Sequence, residues 1–175
     1  MNEGLEGDVR KKLFDLIAKH PGLHLSKIAE EMNMRISLAD YHLKYLEKNE
    51  LIISVKNKGE YFRRYYTKES ALGVDDKKIL GILREEMLLN IILLLLKKEK
   101  LRHKEILSHF DITAPTLSYY LDKLTVSGII CVVRYGEEKG YSLVDKKQIQ
   151  RLLFRYEFHE AAENFKAVWD DFLYW

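Results

Sequence analysis

A short stretch of the chain, residues 35–48, combines hydroxyl, amino and guanidinium groups at the spacing of one helical face. Its apolar residues Ala39, Leu43 and Leu46 recur at i, i+4 and i+7, which predicts a helix over about 37–49 that buries this side. The opposite side then carries donors for contacts with phosphates or with the edges of bases. These candidate groups are Arg35, Ser37, Tyr41, Lys44 and Lys48. Charges at helical spacing also occur on ordinary solvated faces, so the hypothesis depends on the elements that surround this helix.

The two segments that follow, 51–56 and 61–67, are typical of β-strands joined by the turn at 57–60. Basic and aromatic residues are interleaved along this hairpin, and side chains in a strand point to opposite faces in turn. We therefore expect the aromatic side chains to pack on the helices while the basic ones face a phosphate backbone. The basic candidates are Lys56, Lys58, Arg63 and Arg64.

The buried pattern recurs when 78 is added to each residue number. The apolar set of the first paragraph becomes Leu117, Leu121 and Leu124, and Tyr41 becomes Tyr119. Two copies are too few for a solenoid, so the repeat predicts a tandem pair of domains. The second copy offers hydroxyl groups that read bases more weakly than charged ones. These candidates are Thr113, Thr116, Ser118 and Tyr119.

The two copies differ in charge. Residues 35–68 contain eight Lys or Arg and four Asp or Glu, whereas residues 113–144 contain three of each. Glu137 and Glu138 fall at the tip of the second hairpin, where a phosphate backbone would be repelled. Because ion pairs with phosphates dominate affinity for nucleic acid, we expect the first copy to contribute most of it.

The periodicity predicts a mainly α fold with small β-hairpin wings, an α+β class. Helices are expected at about 9–20, 27–33 and 37–49 in the first copy and at about 85–97, 103–109 and 114–127 in the second. The second hairpin is expected at 129–135 and 140–144, and residues 76–98 form either one long helix or two. The predicted organisation is a winged helix-turn-helix domain (1–70), a connecting segment (71–84), a second such domain (85–144) and a C-terminal helical tail (145–175).

The stretch 24–52 resembles the winged-helix segment of ArsR- and MarR-type prokaryotic regulators. The matching residues are His42-Leu43-Lys44-Tyr45-Leu46 on the third helix and Asn49-Glu50-Leu51-Ile52 at the exit to the hairpin, which is called the wing. The second copy has Ser127-Gly128-Ile129-Ile130 at that exit, and the tandem arrangement resembles archaeal regulators. The resemblance implies that the third helix enters the major groove of DNA and that the wing reaches the adjacent backbone.

Other classes of site are not indicated by the sequence. The six histidines and the single cysteine, Cys131, have no metal-ligand spacing, and no phosphate loop or paired acid–base motif is present. We expect no catalysis, no cofactor and no resident metal. The N-terminal segment lacks the apolar core of a signal peptide, and the longest apolar run, 91–96, is too short for a membrane span. A cytoplasmic location is expected.

The apolar helix at 85–97 and the aromatic tail are the surfaces that the sequence offers for assembly. In the tail, Phe158, Ala162, Phe165, Trp169 and Phe172 form a stripe at helical spacing. We expect a homodimer through the second domain and this tail. The alternative is that the stripe folds back onto the second domain of its own chain.

The predicted function is a sequence-specific regulator of transcription that binds double-stranded DNA mainly through its first winged helix. The net charge of +2 does not by itself require a nucleic-acid partner, so the argument depends on where the charges lie. The alternative function is a protein-interaction adaptor, because winged helices also bind components of the transcription machinery or of chromosome-organising complexes. The operator and any small-molecule effector are not indicated.

Overall fold

The structure is a computed structural model that describes residues 2–56, 61–156 and 158. The chain divides into two compact units, Met1–Gly81 and Ile82–Trp175. The boundary falls inside the connecting segment that the sequence predicts at 71–84.

The first unit contains three helices and a hairpin. Helices α1 (Asn2–Lys19), α2 (Leu25–Glu31) and α3 (Ile36–Lys48) are followed by strands β1 (Ile52–Val55) and β2 (Arg64–Thr67), which pair in antiparallel fashion. Helix α4 (Val74–Leu83) begins in this unit. The core joins all three helices to the hairpin. Its buried members are Leu13, Ile17, Leu23, Ile28, Leu43, Leu46, Ile52 and Tyr65.

Strand β2 is buried on both faces, which the expected alternation did not predict. All four of its residues, Arg64 to Thr67, are buried. Tyr65 belongs to the core, and the hydroxyl of Tyr66 donates a hydrogen bond of 2.7 Å to the carbonyl of Lys77 in α4. The prediction that aromatic and basic residues of the hairpin occupy opposite faces is therefore wrong for β2.

The second unit repeats this order and adds a strand. It contains helix α5 (Glu86–Lys98), strand β3 (Lys100–Arg102), helices α6 (His103–Leu107) and α7 (Ala114–Val126), strands β4 (Ile130–Tyr135) and β5 (Glu138–Leu143), and helix α8 (Lys146–Arg155). The three strands form an antiparallel sheet in the order β3-β5-β4. In the first unit the place of β3 is taken by a single bridge between His24 and Arg64.

The mainly helical α+β fold with small antiparallel hairpins is confirmed. Adding 78 to the first and last residue numbers of α3 gives the first and last residue numbers of α7. The same offset does not hold through the hairpins. Ile52 pairs with Thr67, fifteen positions later, whereas Ile130 pairs with Leu143, thirteen positions later. The wing of the first unit is thus two residues longer. Residues 76–98 belong to two helices, α4 and α5, separated by Arg84 and Glu85.

Helix α5 is not an available assembly surface. Eight of its apolar side chains, from Leu88 to Leu96, are buried within the chain, each with 3% exposure or less. Helix α8 ends at Arg155, and positions 159–175 of the predicted tail lie outside the described residues. Phe158, the first member of the predicted stripe, is buried, and its ring centroid lies 4.2 Å from the guanidinium carbon of Arg84 in the same unit. At Phe158, therefore, the stripe packs on the second unit of its own chain, which is the alternative to the dimer contact.

Candidate nucleic-acid interface

The orientation of helix α3 is fixed by the packing of its buried side. Ala39, Leu43 and Leu46 are buried, with exposed fractions of 2% or less, and α3 packs on both α1 and α2. The helix begins one residue earlier than predicted, because the carbonyl of Arg35 accepts a hydrogen bond of 3.0 Å from the amide of Ala39. Arg35 is therefore the N-cap residue, and its own side chain makes no capping hydrogen bond.

The predicted contact residues of α3 are exposed together. Ser37, Tyr41, Lys44 and Lys48 lie on the side opposite the core, and Arg35 is exposed at the N-terminus of the helix. Three apolar or aromatic side chains on α3 are also exposed, and the predicted site did not include them. These are Ile36 (55% exposed), Leu38 (46%) and Tyr45 (42%).

Two of the charges on α3 form a local pair. The ammonium of Lys44 lies 2.6 Å from a carboxylate oxygen of Asp40, one helical turn earlier. Pairs at this spacing contribute only a few tenths of a kcal/mol, so the Lys44 ammonium is available to exchange this partner for a phosphate. Asp40 also reduces the positive potential of the helix face.

Helix α1 supports the aromatic part of this face. The guanidinium carbon of Arg10 lies 3.6 Å from the ring centroid of Tyr45, and Arg10 also pairs with Glu6 at 2.8 Å. A guanidinium stacked on an aromatic ring stabilises the pair by about 0.5–1 kcal/mol at an exposed site. No sequence motif marks Arg10, since its contact depends on how α1 crosses α3.

One titratable side chain of α3 faces inward. His42 is 3% exposed, and within the part of the chain that the structure describes its Nδ1 atom has no hydrogen-bond partner. Burial, together with the positive charge of Arg10, holds the pKa of His42 below its ordinary value, and Glu6 opposes this shift only partly. At pH 7 the neutral form of the imidazole is therefore favoured, because burial disfavours its charged form more than Glu6 favours it.

A hydrogen-bonded chain joins the end of α3 to the hairpin. The Glu47 carboxylate accepts from the amide of Ser54 at 3.1 Å and from its hydroxyl at 2.7 Å. The guanidinium of Arg63 donates to the same hydroxyl at 3.4 Å. Arg63 and Lys56, two of the four predicted cations of the hairpin, are exposed. Lys58 lies outside the described residues.

Arg64 does not belong to this surface. It is 3% exposed, and its Nη1 atom donates a hydrogen bond of 3.1 Å to the carbonyl of Gly22 in the turn between α1 and α2. Gly22 has a φ of +87°, and its amide donates to the carbonyl of Tyr65. Arg64 therefore fastens β2 to this turn, and its buried side chain lies off the surface where the sequence predicted a phosphate contact.

Exposed rings extend the hairpin toward its tip. Tyr61 is 88% exposed and packs edge-on against Phe62, and Phe62 stacks on His24 with centroids 4.8 Å apart. The sequence predicted that these aromatics would pack on helices. Phe62 contacts the residue that caps α2, and it remains 48% exposed.

In the second unit the hydroxyl candidates are mostly engaged. The Thr113 hydroxyl caps α7 by accepting from the amide of Thr116 at 3.4 Å, and the two hydroxyls lie 2.8 Å apart. The Ser118 hydroxyl lies 3.1 Å from Nε2 of His103. Tyr119 is 61% exposed, which makes it the counterpart of Tyr41 in both sequence and exposure.

Two cations of the second unit are also paired with carboxylates. Lys123 on α7 lies 2.6 Å from the carboxylate of Glu85, and Arg102 lies 3.2 Å from that of Glu138 in the hairpin. These pairs anchor α7 and the hairpin within the unit. Arg134 and Lys139 are exposed, but Glu137 and Glu138 stand beside them.

Within the described ranges, no group of three or more His, Cys, Asp or Glu side chains is placed to hold a metal ion. The helices of those ranges include none with the length and apolar character needed to cross a bilayer.

Comparisons with known proteins point to the same fold. Residues 89–131, from α5 to β4, match the family model described as bacterial regulatory protein, arsR family. An uncharacterized HTH-type transcriptional regulator of Methanocaldococcus jannaschii is 30% identical over 140 residues, which are 80% of this chain and 33% of that protein. The chain thus spans about a third of the length of this relative. The family match lies in the second unit, although the residues that first suggested the resemblance lie mainly in the first. The second unit therefore contains a helix-turn-helix segment similar to that of arsR-family regulators.

Proposed function

We propose that this protein is a transcription regulator without catalytic activity that binds double-stranded DNA in a sequence-specific manner, mainly through its first unit. The observation that carries the proposal is the outward side of α3. Ser37, Tyr41, Lys44 and Lys48 are exposed together, and Glu47 fastens this helix to the hairpin that carries Arg63. The arsR-family match and the regulator of M. jannaschii support a DNA-binding role.

The geometry suits a helix in the major groove with a flanking hairpin. The helix provides hydroxyl and ammonium donors for base edges, while Arg63 and Lys56 lie beside it for the phosphate backbone. The second unit has the same elements, but Lys123 is paired with Glu85 and the hairpin is acidic at Glu137 and Glu138. The first unit is therefore better suited than the second to bind a polyanion such as DNA.

The experiment compares the same residue in the two units. Genomic fragments bound by the full chain are selected, and affinity for the enriched duplex is measured across a range of salt concentrations. Tyr41→Ala is expected to weaken binding about fivefold or more, because the loss of a contact to one base pair typically costs about 1–3 kcal/mol. Tyr119→Ala is the matched control and is expected to have a much smaller effect. If Tyr119→Ala has the larger effect, the second unit is the main DNA-binding unit.

A protein-interaction adaptor is the second candidate function. The exposed Ile36, Leu38 and Tyr45 favour it, because apolar side chains gathered on one helix also suit a protein partner. An adaptor would show no affinity for random duplex at low salt and no enrichment of any genomic fragment. Affinity for DNA with enrichment of particular fragments favours the regulator, and the absence of both favours the adaptor.

A further inference from the structure

The apolar side chains on the outward side of α3 occupy positions where DNA is read. Leu38 and Tyr41 are three residues apart in the first half of the helix, so their side chains are neighbours on its surface. They are 46% and 53% exposed, while Ala39 and His42 next to them are buried and fix the rotation of the helix. In helix-turn-helix proteins the N-terminal half of the inserted helix contacts the base edges.

A groove-facing leucine cannot form a hydrogen bond with any base. The apolar group that B-DNA presents in the major groove is the C5-methyl group of thymine, which apolar and aromatic side chains contact. The surrounding charges favour DNA over an apolar protein partner, because Arg35 and Lys48 are exposed at the two ends of α3 and Arg63 lies on the adjoining hairpin. A phosphate backbone complements all three cations.

We propose that Leu38 and Tyr41 determine sequence specificity by contacting thymine methyl groups, so that the first unit selects sites with thymine at fixed positions. This inference rests on the proposed DNA-binding function and specifies the chemistry of the preferred site. The pairing of a leucine with a tyrosine is particular to the first unit, because the counterpart of Leu38 is Thr116, whose hydroxyl lies in the cap of α7, so α7 has no leucine beside Tyr119.

The test removes one methyl group at a time from the DNA. A duplex enriched from a random library by the full chain is resynthesised with each thymine replaced in turn by deoxyuridine, which lacks only the methyl group. Affinity is expected to fall about fourfold at each contacted position, the equivalent of about 0.8 kcal/mol for one buried carbon group. Restoring a methyl group through 5-methylcytosine, where cytosine replaces a contacted thymine, should recover part of the affinity.

Variants assign each methyl group to a side chain. In Leu38→Ala the discrimination between thymine and uracil should disappear at one position while it persists elsewhere, and Tyr41→Ala should abolish it at a neighbouring position. Tyr41→Phe keeps the ring and should retain the discrimination. Val74→Ala, which removes an exposed apolar side chain at the start of α4, should leave the whole pattern unchanged.

Three outcomes would overturn the proposal, and they are distinguishable. A selected duplex whose affinity is insensitive to every uracil shows that DNA is bound without reading thymine methyl groups. Sensitivity to uracil that survives in both alanine variants shows that other side chains contact the methyl groups. Failure to enrich any duplex removes the DNA-binding function, and with it this inference, and leaves the protein-interaction role.

Discussion

The Ser54 hydroxyl donates a hydrogen bond of 2.7 Å to the Glu47 carboxylate, which joins the last turn of α3 to strand β1. Since Arg63 donates to the same hydroxyl, the position of a cation on the hairpin depends on a residue of the helix. Glu47→Ala should therefore weaken DNA binding although Glu47 itself repels phosphate. The expected loss of stability is about 1 kcal/mol, the usual net contribution of a hydrogen bond.

Glu50→Ala is the control for Glu47→Ala. It removes an equal charge from the same region, where Glu50 pairs with Lys68 in an exposed ion pair. If removal of negative charge alone matters, both variants should bind DNA more tightly. Weaker binding in Glu47→Ala with unchanged or tighter binding in Glu50→Ala supports the positioning role, and identical behaviour of the two variants contradicts it.

His42 makes the stability of the first unit depend on pH. Its pKa in the folded protein lies below the ordinary value of 6.5, so the unfolded chain binds a proton more readily. Stability is then complete above pH 6.5 and is lost progressively as the pH falls from 6.5 toward the folded-state pKa, below which the loss levels off. Urea unfolding from pH 7.5 to pH 5 should show this trend.

His42→Phe is expected to flatten that trend, because it keeps a ring of similar size without a titrating nitrogen. The groups that oppose or assist protonation are Arg10 and Glu6 on α1. Arg10→Gln should therefore move the pKa of His42 upward and make the loss of stability smaller. An equally steep decline in His42→Phe would show that other groups govern the acid sensitivity.

Arg63 and Arg64 are adjacent, but their variants should affect different properties, which are DNA affinity for Arg63 and stability for Arg64. Arg63→Ala is expected to weaken binding to all duplexes similarly and to reduce the slope of affinity against salt concentration by about one, as for the loss of one phosphate contact. Arg64→Met should instead reduce stability by about 2 kcal/mol, because the variant lacks the guanidinium and the buried Gly22 carbonyl loses the hydrogen bond that it accepts from it. Lys139→Ala on the second hairpin is the control and should change little.

The dimer prediction now depends on the tail. Light scattering on the full chain should give twice the monomer mass of 20.7 kDa, and a version that ends after Phe158 should give the monomer mass. This end point keeps α8, whose Ile149, Leu152 and Leu153 are buried in the second unit. A full-length chain that is monomeric at micromolar concentration would contradict the prediction and would leave the tail as an intramolecular cover.

The sequence alone was sufficient for the elements that follow from local periodicity. The i, i+4, i+7 pattern of Ala39, Leu43 and Leu46 identified the buried side of α3, and the offset of 78 located α7. These predictions succeeded because helix periodicity depends on residues within a few positions of one another. The cap of α7 is equally local, since the Thr113 hydroxyl accepts from the amide of Thr116 three residues later.

The division of the hairpin between core and surface required the tertiary structure. Strict alternation assumes that one face of a strand meets solvent, but α4 lies against β2 at Tyr66 and Lys77, so Arg64 is buried with its aromatic neighbours. The sequence predicted 71–84 only as a connecting segment and gave no reason to place it against β2. A residue's exposure in a strand is decided by what covers its second face, and that covering element is distant in sequence.

The contacts that complete the candidate interface are of the same kind. Arg10 on α1 contacts Tyr45 on α3, Glu47 contacts Ser54 across the exit to the hairpin, and the pKa of His42 on α3 responds to Arg10 and Glu6 on α1. The sequence determined which side of α3 faces outward and which hydroxyl and basic groups it carries. The tertiary structure decided which of them are exposed, paired or buried, because burial and pairing arise only when elements far apart in the chain pack together.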